Sequence, residues 1–445
     1  MGDQNEESKR AAAAQSEPEM PAKAARKMGR VVFIDQARAF ALTMMLVGHS
    51  LHHFLGEPWR SSNAYNEYQF FRGITSALFL MVSGFSFVVA SFKYWDDYTS
   101  ISPRLIARAR RIGYILFLAY LLHMYGGTLA QMFSWYSPQK IEYFLRFDVL
   151  QNIGFGLLIL HTAAYLMKKI EHFWKVMLAM FIGVMLLAAV TYNPAVDDVL
   201  PIWLAPALNM YHRSLFPLVP FTGFMIAGAF FGYFFWKGKQ KGSDWKAMVA
   251  LALTGIALLL FEYVLRNIIP GGVFPFSVDI PRTPGNTFAR CGCAMLVISA
   301  FYFIEKIVVI LPRMSLLMSK DSLAIYVVHL PIIYGGKLGV LQSYQGKMTP
   351  VQTFLYISVL FALMLLLAYT INLVRKKYPV AQTRIRRTAI LAWVLMFILW
   401  PRVSPLSVAM SVGVAVFFMV DGHRKTADRL RTMLSDYKKK RRPAS

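Results

Sequence analysis

The chain is poor in the residues that would mark several other kinds of protein. Of its 445 residues only two are cysteines, Cys291 and Cys293, one residue apart inside an apolar stretch. Two thiols at that spacing cannot build a disulfide framework and make a poor zinc site, so they are expected to be packing residues and no metal is expected. Acid is scarce too: 23 Asp and Glu stand against 48 Lys and Arg, a formal net charge of +25. That excess does not imply nucleic acid, because the basic residues sit in short clusters between apolar runs, as they do in cytoplasmic loops of membrane proteins. Also missing are an internal period of 20–50 residues and a short apolar core with a cleavage site near the amino terminus. Residues 1–29, polar and Ala-rich, are therefore expected to be a disordered cytoplasmic tail.

What is present is hydrocarbon. The chain is 56% hydrophobic and 15% aromatic, and apolar runs of about twenty residues, enough to cross roughly 30 Å of hydrocarbon, recur along it. The expectation is an all-α polytopic transmembrane bundle of 10–12 spans. Ten fall at 34–56, 70–92, 110–133, 148–167, 173–191, 215–236, 246–264, 288–311, 321–340 and 352–374. Two shorter stretches, 388–400 and 406–420, are split by "PRVSP", a break that suggests a hairpin of short spans or a re-entrant element. The segmentation is a tail over 1–29, a membrane domain over 30–374, a basic loop and apolar hairpin over 375–420, and a basic tail over 421–445. Alternate inter-span segments differ roughly fourfold in Lys and Arg, which puts both termini in the cytoplasm; the expected location is a bacterial inner membrane, crossed many times. The closing "DYKKKRR" reads as a contact with anionic lipid of the bilayer.

One span breaks the rule of apolarity. Residues 33–55, "FIDQARAFALTMMLVGHSLHHFL", carry Asp35, Arg38, His49, His52 and His53. Ionisable groups at membrane depth cost about 2.5–3.5 kcal/mol each, so they face the interior of a bundle or a cavity and mark functional sites. At 100° per residue the eleven steps from Arg38 to His49 return to nearly the same face, which makes one polar stripe. Asp35 and Arg38 form either an interfacial ion pair that anchors the helix or the lining of a pocket in which a guanidinium meets phosphate. Three histidines within five residues favour acid–base chemistry, since imidazole can take and return a proton near neutrality.

Other polar residues share those depths. Arg72 and Ser83 lie on the second span, Ser83 beside Gly84 as a packing pair or a site. Asp148 and Gln151 open the fourth, where Asp148 either orients an imidazole or caps the helix. Arg290 enters the eighth as an anchor or an anion contact, and His329 stands in the outer half of the ninth, two residues before Pro331.

Taken in order, the first span with Asp-x-x-Arg and a later Gly-His, then "ALFLMVSGFSF", "DVLQNIG", "LFPLVPFTGFMIAGA" and "SLAIYVVHLPIIYG", resemble a known set. The chain, from about residue 30 to about residue 340, is similar to the catalytic membrane domain of heparan-alpha-glucosaminide N-acetyltransferase and its bacterial relatives, part of a superfamily of transmembrane acyltransferases. It departs from their pattern at Ala39, where Gly is usual, and at Asn152, where a basic residue is common. The resemblance implies transfer of an acyl group, by expectation acetyl, from cytoplasmic acyl-CoA to an extracytoplasmic sugar or glycan. It makes His49 the catalytic histidine, as general base or transient acyl carrier. With Asp148 as its orienter, the substrate contacts are expected among Asp35, Arg38, His52, His53, Arg72, Ser83, Gln151, Arg290 and His329. The rival reading is a transporter or flippase for an anionic or lipid-linked substrate; a membrane scaffold would account for neither the histidines nor the resemblance.

Overall fold

The computed structural model describes residues 30–123, 138–268, 284–305, 312–334 and 342–377. The stretches 388–400 and 406–420 and both tails lie outside them. The described chain is almost wholly helical, with one isolated bridge between Leu55 and Met348 and no strand. The main helices are α1 (Val32–Phe54), α2 (Asn63–Ser91), α3 (Pro103–His123), α4 (Pro138–Leu145), α5 (Val149–Met167), α6 (Phe173–Thr191), α7 (Leu218–Gln240), α8 (Asp244–Ile268), α9 (Pro284–Glu305), α10 (Pro312–Lys320), α11 (Ser322–Tyr334) and α12 (Pro350–Lys377).

Seven helices, α2, α5, α6, α7, α8, α9 and α12, are long and apolar enough to cross a membrane, and α10 with α11 makes an eighth if the bent pair is one span. Two expected spans fall outside that set. Helices α1 and α3 have 23 and 21 residues, but α1 carries an acid, an arginine and three histidines and α3 carries four arginines. The ninth expected span, 321–340, is preceded by α10 and bent against it by 78°. The outer helices present bare hydrocarbon: Leu178, Ile182, Leu186 and Val190 on α6 and Leu253, Leu260 and Phe261 on α8 are exposed. A continuous exposed apolar surface of this kind belongs against lipid tails.

The centre of the bundle is the crossing of α2 and α7. Each helix meets the other's backbone through a glycine: a Cβ on Gly84 would stand 1.8 Å from the Met225 carbonyl oxygen, and one on Gly228 would stand 2.0 Å from that of Met81. With lipid as the surrounding solvent, close backbone approach is what drives helices together. Gly84 is thus a packing residue, as one of its two expected roles had it. Aromatic rings fix the neighbouring end of α1, where Phe33 makes edge contacts with Phe85, Phe235 and Tyr302 at centroid distances of 5.8, 5.4 and 5.3 Å. Around this centre α1 packs on α2, α9, α10, α11 and α12, while α3 packs on α5.

The crossing makes a prediction. Gly228→Ala forces a methyl group into a backbone carbonyl, which no rotamer relieves, and should destabilise the protein by about 1–3 kcal/mol. Gly183→Ala, where nothing stands within 4 Å, should leave the melting temperature unchanged or slightly raised, because Gly is a poor helix former. Thermal melting of the detergent-purified variants checks both.

Candidate active site

Helix α1 carries a polar cluster at each end of its stripe. At the first, Asp35 is 5% exposed and takes three contacts. Ser319 Oγ donates to Oδ1 at 2.6 Å, Arg30 Nε donates to Oδ2 at 2.5 Å, and Arg38 Nη1 stands 3.6 Å away. Arg38 donates from Nη1 to Ser319 Oγ at 3.0 Å and from Nη2 to Ser86 Oγ at 2.5 Å. The Ser319 hydroxyl is thus shared, giving its proton to the carboxylate and its lone pair to the guanidinium. The helix start is finished from outside: Phe33 N–H, which has no partner within α1, donates to Glu305 Oε2 of α9 at 2.8 Å. Arg111 of α3 lies within electrostatic reach of Arg38 and Arg108, so this end of the bundle is basic.

The second cluster lies about 16 Å further along α1, eleven residues at 1.5 Å each. His49 Nδ1 stands 3.0 Å from His329 Nε2 of α11, with the two rings stacked at 21°. His329 is fully buried, and its Nδ1 lies 3.0 Å from the Ile325 carbonyl oxygen. A carbonyl only accepts, so Nδ1 of His329 carries hydrogen, and in the neutral ring Nε2 is the lone pair. His49 must then donate through its own Nδ1–H. That leaves His49 Nε2 as a bare lone pair, the form a general base or nucleophile requires. The ring of Tyr334 lies against both His49 and His53, at 5.7 and 5.0 Å. His52 is exposed one turn beyond His49.

Helix α2 closes over this end. Gly48, the residue before His49, has no side chain, and a methyl there would stand 3.0 Å from Arg72 Cγ and 3.3 Å from the Tyr68 hydroxyl. The missing side chain lets an arginine and a tyrosine, one turn apart, lie across the backbone beside the histidine. Tyr68 Oη is buried with no partner among the described residues, a donor held ready for a ligand. A second glycine gap follows, where a methyl on Gly73 would stand 3.0 Å from Arg290 Nε. Arg290 of α9 is therefore brought against α2, at the residue after Arg72.

Two expected contacts resolve differently. Asp148 does not pair with His49: its Oδ2 faces His123 Nε2 at 3.7 Å, and its Oδ1 accepts from Val149 N–H at 2.8 Å. Gln151, fully buried, bonds His123 Nδ1 at 2.9 Å and accepts from Asp148 N–H, which completes a capping box. The reason is that an N-cap aspartate is held by its own helix and reaches the helix beside it, here α3. The other is Ser83, which donates to the Phe79 carbonyl of its own helix at 2.8 Å, while Ser86, the next serine on that face, reaches Arg38. Asn152 ties α5 to the chain before α7 through the Phe216 and Pro217 carbonyls at 3.2 and 2.9 Å.

The sequence reading missed Tyr68, Ser86, Arg111, His123, Ser319 and Tyr334. Tyr68 alone had a local signal, standing one turn before Arg72. Among the described residues no group of three His, Cys, Asp or Glu is placed to hold a metal.

Residues 31–373 match the model of a family described as "Acyltransferase domain". The match covers most of the chain, so the protein belongs to this acyltransferase family, and its apolar helices make it a multi-pass membrane member. It extends past residue 340, where the resemblance in the sequence ended, to take in α12. No curated protein matches the chain.

The buried Asp35 cluster makes a stability prediction. Asp35→Ala leaves the half-buried Arg38 guanidinium without its counter-charge and should cost about 3 kcal/mol, toward the low end of what breaking a buried pair costs. Ser319→Ala removes one shared hydroxyl and should cost about 1–3 kcal/mol. Thermal melting of the purified variants reads both, with Asp35→Ala the larger loss.

Proposed function

We propose that this membrane acyltransferase takes an acyl group, acetyl in the simplest case, from coenzyme A on the cytoplasmic face and places it on a sugar or glycan beyond the membrane. The observation that carries the chemistry is the free Nε2 lone pair of His49, fixed by the bond from its Nδ1 to His329. The basic end of the bundle, with Arg38, Arg108 and Arg111, supports a donor whose phosphates stay on that side, because guanidinium groups suit phosphate. Charge asymmetry of the loops supports the cytoplasmic side for that end. The likeness to heparan-alpha-glucosaminide N-acetyltransferase supports a sugar acceptor, and a bacterial inner membrane is the setting that fits it.

In this reading the thioester lies beside His49. Its Nε2 removes the proton from the acceptor hydroxyl or amine as that oxygen or nitrogen attacks the carbonyl carbon. The new bond forms, the carbonyl oxygen takes the negative charge, and the Tyr68 hydroxyl and Arg72 guanidinium stabilise it across Gly48. Collapse breaks the carbon–sulfur bond, and the imidazolium returns its proton to the leaving thiolate. A variant route has Nε2 itself attack, so that the acyl group rests on His49 before the acceptor takes it. His329 acts by holding the tautomer, and the Asp148–His123–Gln151 group by fixing the start of α5 beside α3.

His49→Ala should lower acyl transfer about 10²–10⁴-fold with an unchanged melting temperature. Tyr68→Phe should lower kcat roughly 10²-fold with little change in KM, as loss of an oxyanion donor does. Purified protein, radiolabelled acetyl-CoA and a sugar acceptor supply the assay. Wild-type rates in His49→Ala, or transport of the sugar without acylation, would contradict the proposal.

A further inference from the structure

Between helices α3 and α4 lies an open groove of about 510 Å³, lined by Gly113, Leu116, Phe117, Tyr120 and Leu121 of the first and Phe144 and Leu145 of the second. That is the size of a small-ligand site. A methyl group on Gly113 would meet no atom within 4 Å, and Phe117 is exposed at the rim. The groove lies on the apolar half of α3, after its four arginines, the half that the expected span 110–133 puts in hydrocarbon. The fitting occupant of an open apolar groove at that depth is an alkyl chain.

A charge follows the last lining residue in the chain. Leu145 is followed by Arg146, whose guanidinium lies 4.1 Å over the Tyr143 ring. Its Nε is buried and has no acceptor among the described residues. A buried guanidinium N–H left unpaired is costly, and a phosphate oxygen satisfies it best. Asp148, the nearby acid, is already engaged by His123 and Val149 N–H. Arg146 is also within electrostatic reach of Tyr326, whose ring stands 5.5 Å from that of His329, the partner of His49. Arg146 is thus tied to the groove through Leu145 and, through Tyr326, to the helix that carries His329.

We infer that the groove and Arg146 together bind a phosphate-bearing lipid, its hydrocarbon chain between α3 and α4 and its phosphate at Arg146, and that the sugar this lipid carries is the acceptor presented to His49. The inference rests on the acyltransferase reading and names its acceptor class: a lipid-linked sugar.

The test is binding of a radiolabelled polyprenyl phosphate to the full-length protein in detergent. Saturable binding is expected, displaced by unlabelled polyprenyl phosphate but not by inorganic phosphate or by the uncharged polyprenol. Gly113→Phe, which fills the groove, and Arg146→Gln, which leaves it open, should each weaken binding about tenfold or more. Displacement by inorganic phosphate would make this a plain anion site, and undiminished binding in both variants would remove the groove; either overturns the inference. So does absence of saturable binding while Gly113→Phe lowers the melting temperature, which marks a groove filled by the chain itself. Wild-type protein that acylates a soluble sugar yet binds no polyprenyl phosphate overturns this inference alone. Failure of every form to consume acyl-CoA overturns the function beneath it.

Discussion

The structure turns on one requirement: the polar stripe of α1 must be satisfied inside an apolar bundle. An acid, an arginine and a histidine on one helix face are costly at membrane depth, and each must find a partner without water. The partners come from the bent pair α10–α11. Ser319 of α10 supplies the hydroxyl that Asp35 and Arg38 share, and His329 of α11 supplies the acceptor for His49. A straight helix through both would set Ser319 and His329 about 80° apart around a single axis, ten steps of 100° each. The 78° bend at Asp321 instead turns α11 away from the line of α10, and that turn is held by Arg375 of α12, which donates to Asp321 at 2.7 Å.

This requirement explains why the two ends of α1 differ in kind. Near Asp35 the side-chain hydrogen bonds run to a carboxylate or a hydroxyl, most of them charge-assisted, the arrangement of a rigid anchor. Near His49 the contacts are between neutral rings, and donors are left over: Tyr68 Oη has no partner among the described residues. A site that leaves donors unused in a desolvated place is prepared for a ligand's charge rather than for its own stability. The glycine crossing of α2 and α7 holds this arrangement from the other side, because α2 carries Ser86 to one end of the stripe and Tyr68 and Arg72 to the other.

Much of this was legible in the sequence, for a physical reason. Helical periodicity and the cost of buried charge are local properties, so the all-α bundle, seven of the ten span positions and the stripe from Asp35 to His49 could be read directly. Pairing across the bundle is not local. His329 stood out as a histidine at the right depth, yet its partner lies 280 positions away, and nothing in either segment names the other. Ser83 and Ser86 are one turn apart and indistinguishable by composition; only the position of Arg38 selects the second. Asp148 looked free to orient an imidazole and does face one, but the helix packing makes it His123. The bend before α11 was hidden because 312–320, "PRMSLLMSK", carries a basic residue near each end and reads as a cytoplasmic loop rather than as a helix.

The central claim is that an acyl group passes from a donor at the Arg38 end to an acceptor at the His49 end of the same helix. Sealed proteoliposomes with known protein orientation test it directly, with radiolabelled acetyl-CoA on one face and the sugar acceptor on the other. Acylated sugar should appear on the His49 face only when the donor is on the Arg38 face. Product formed only when donor and acceptor share one face would contradict the account.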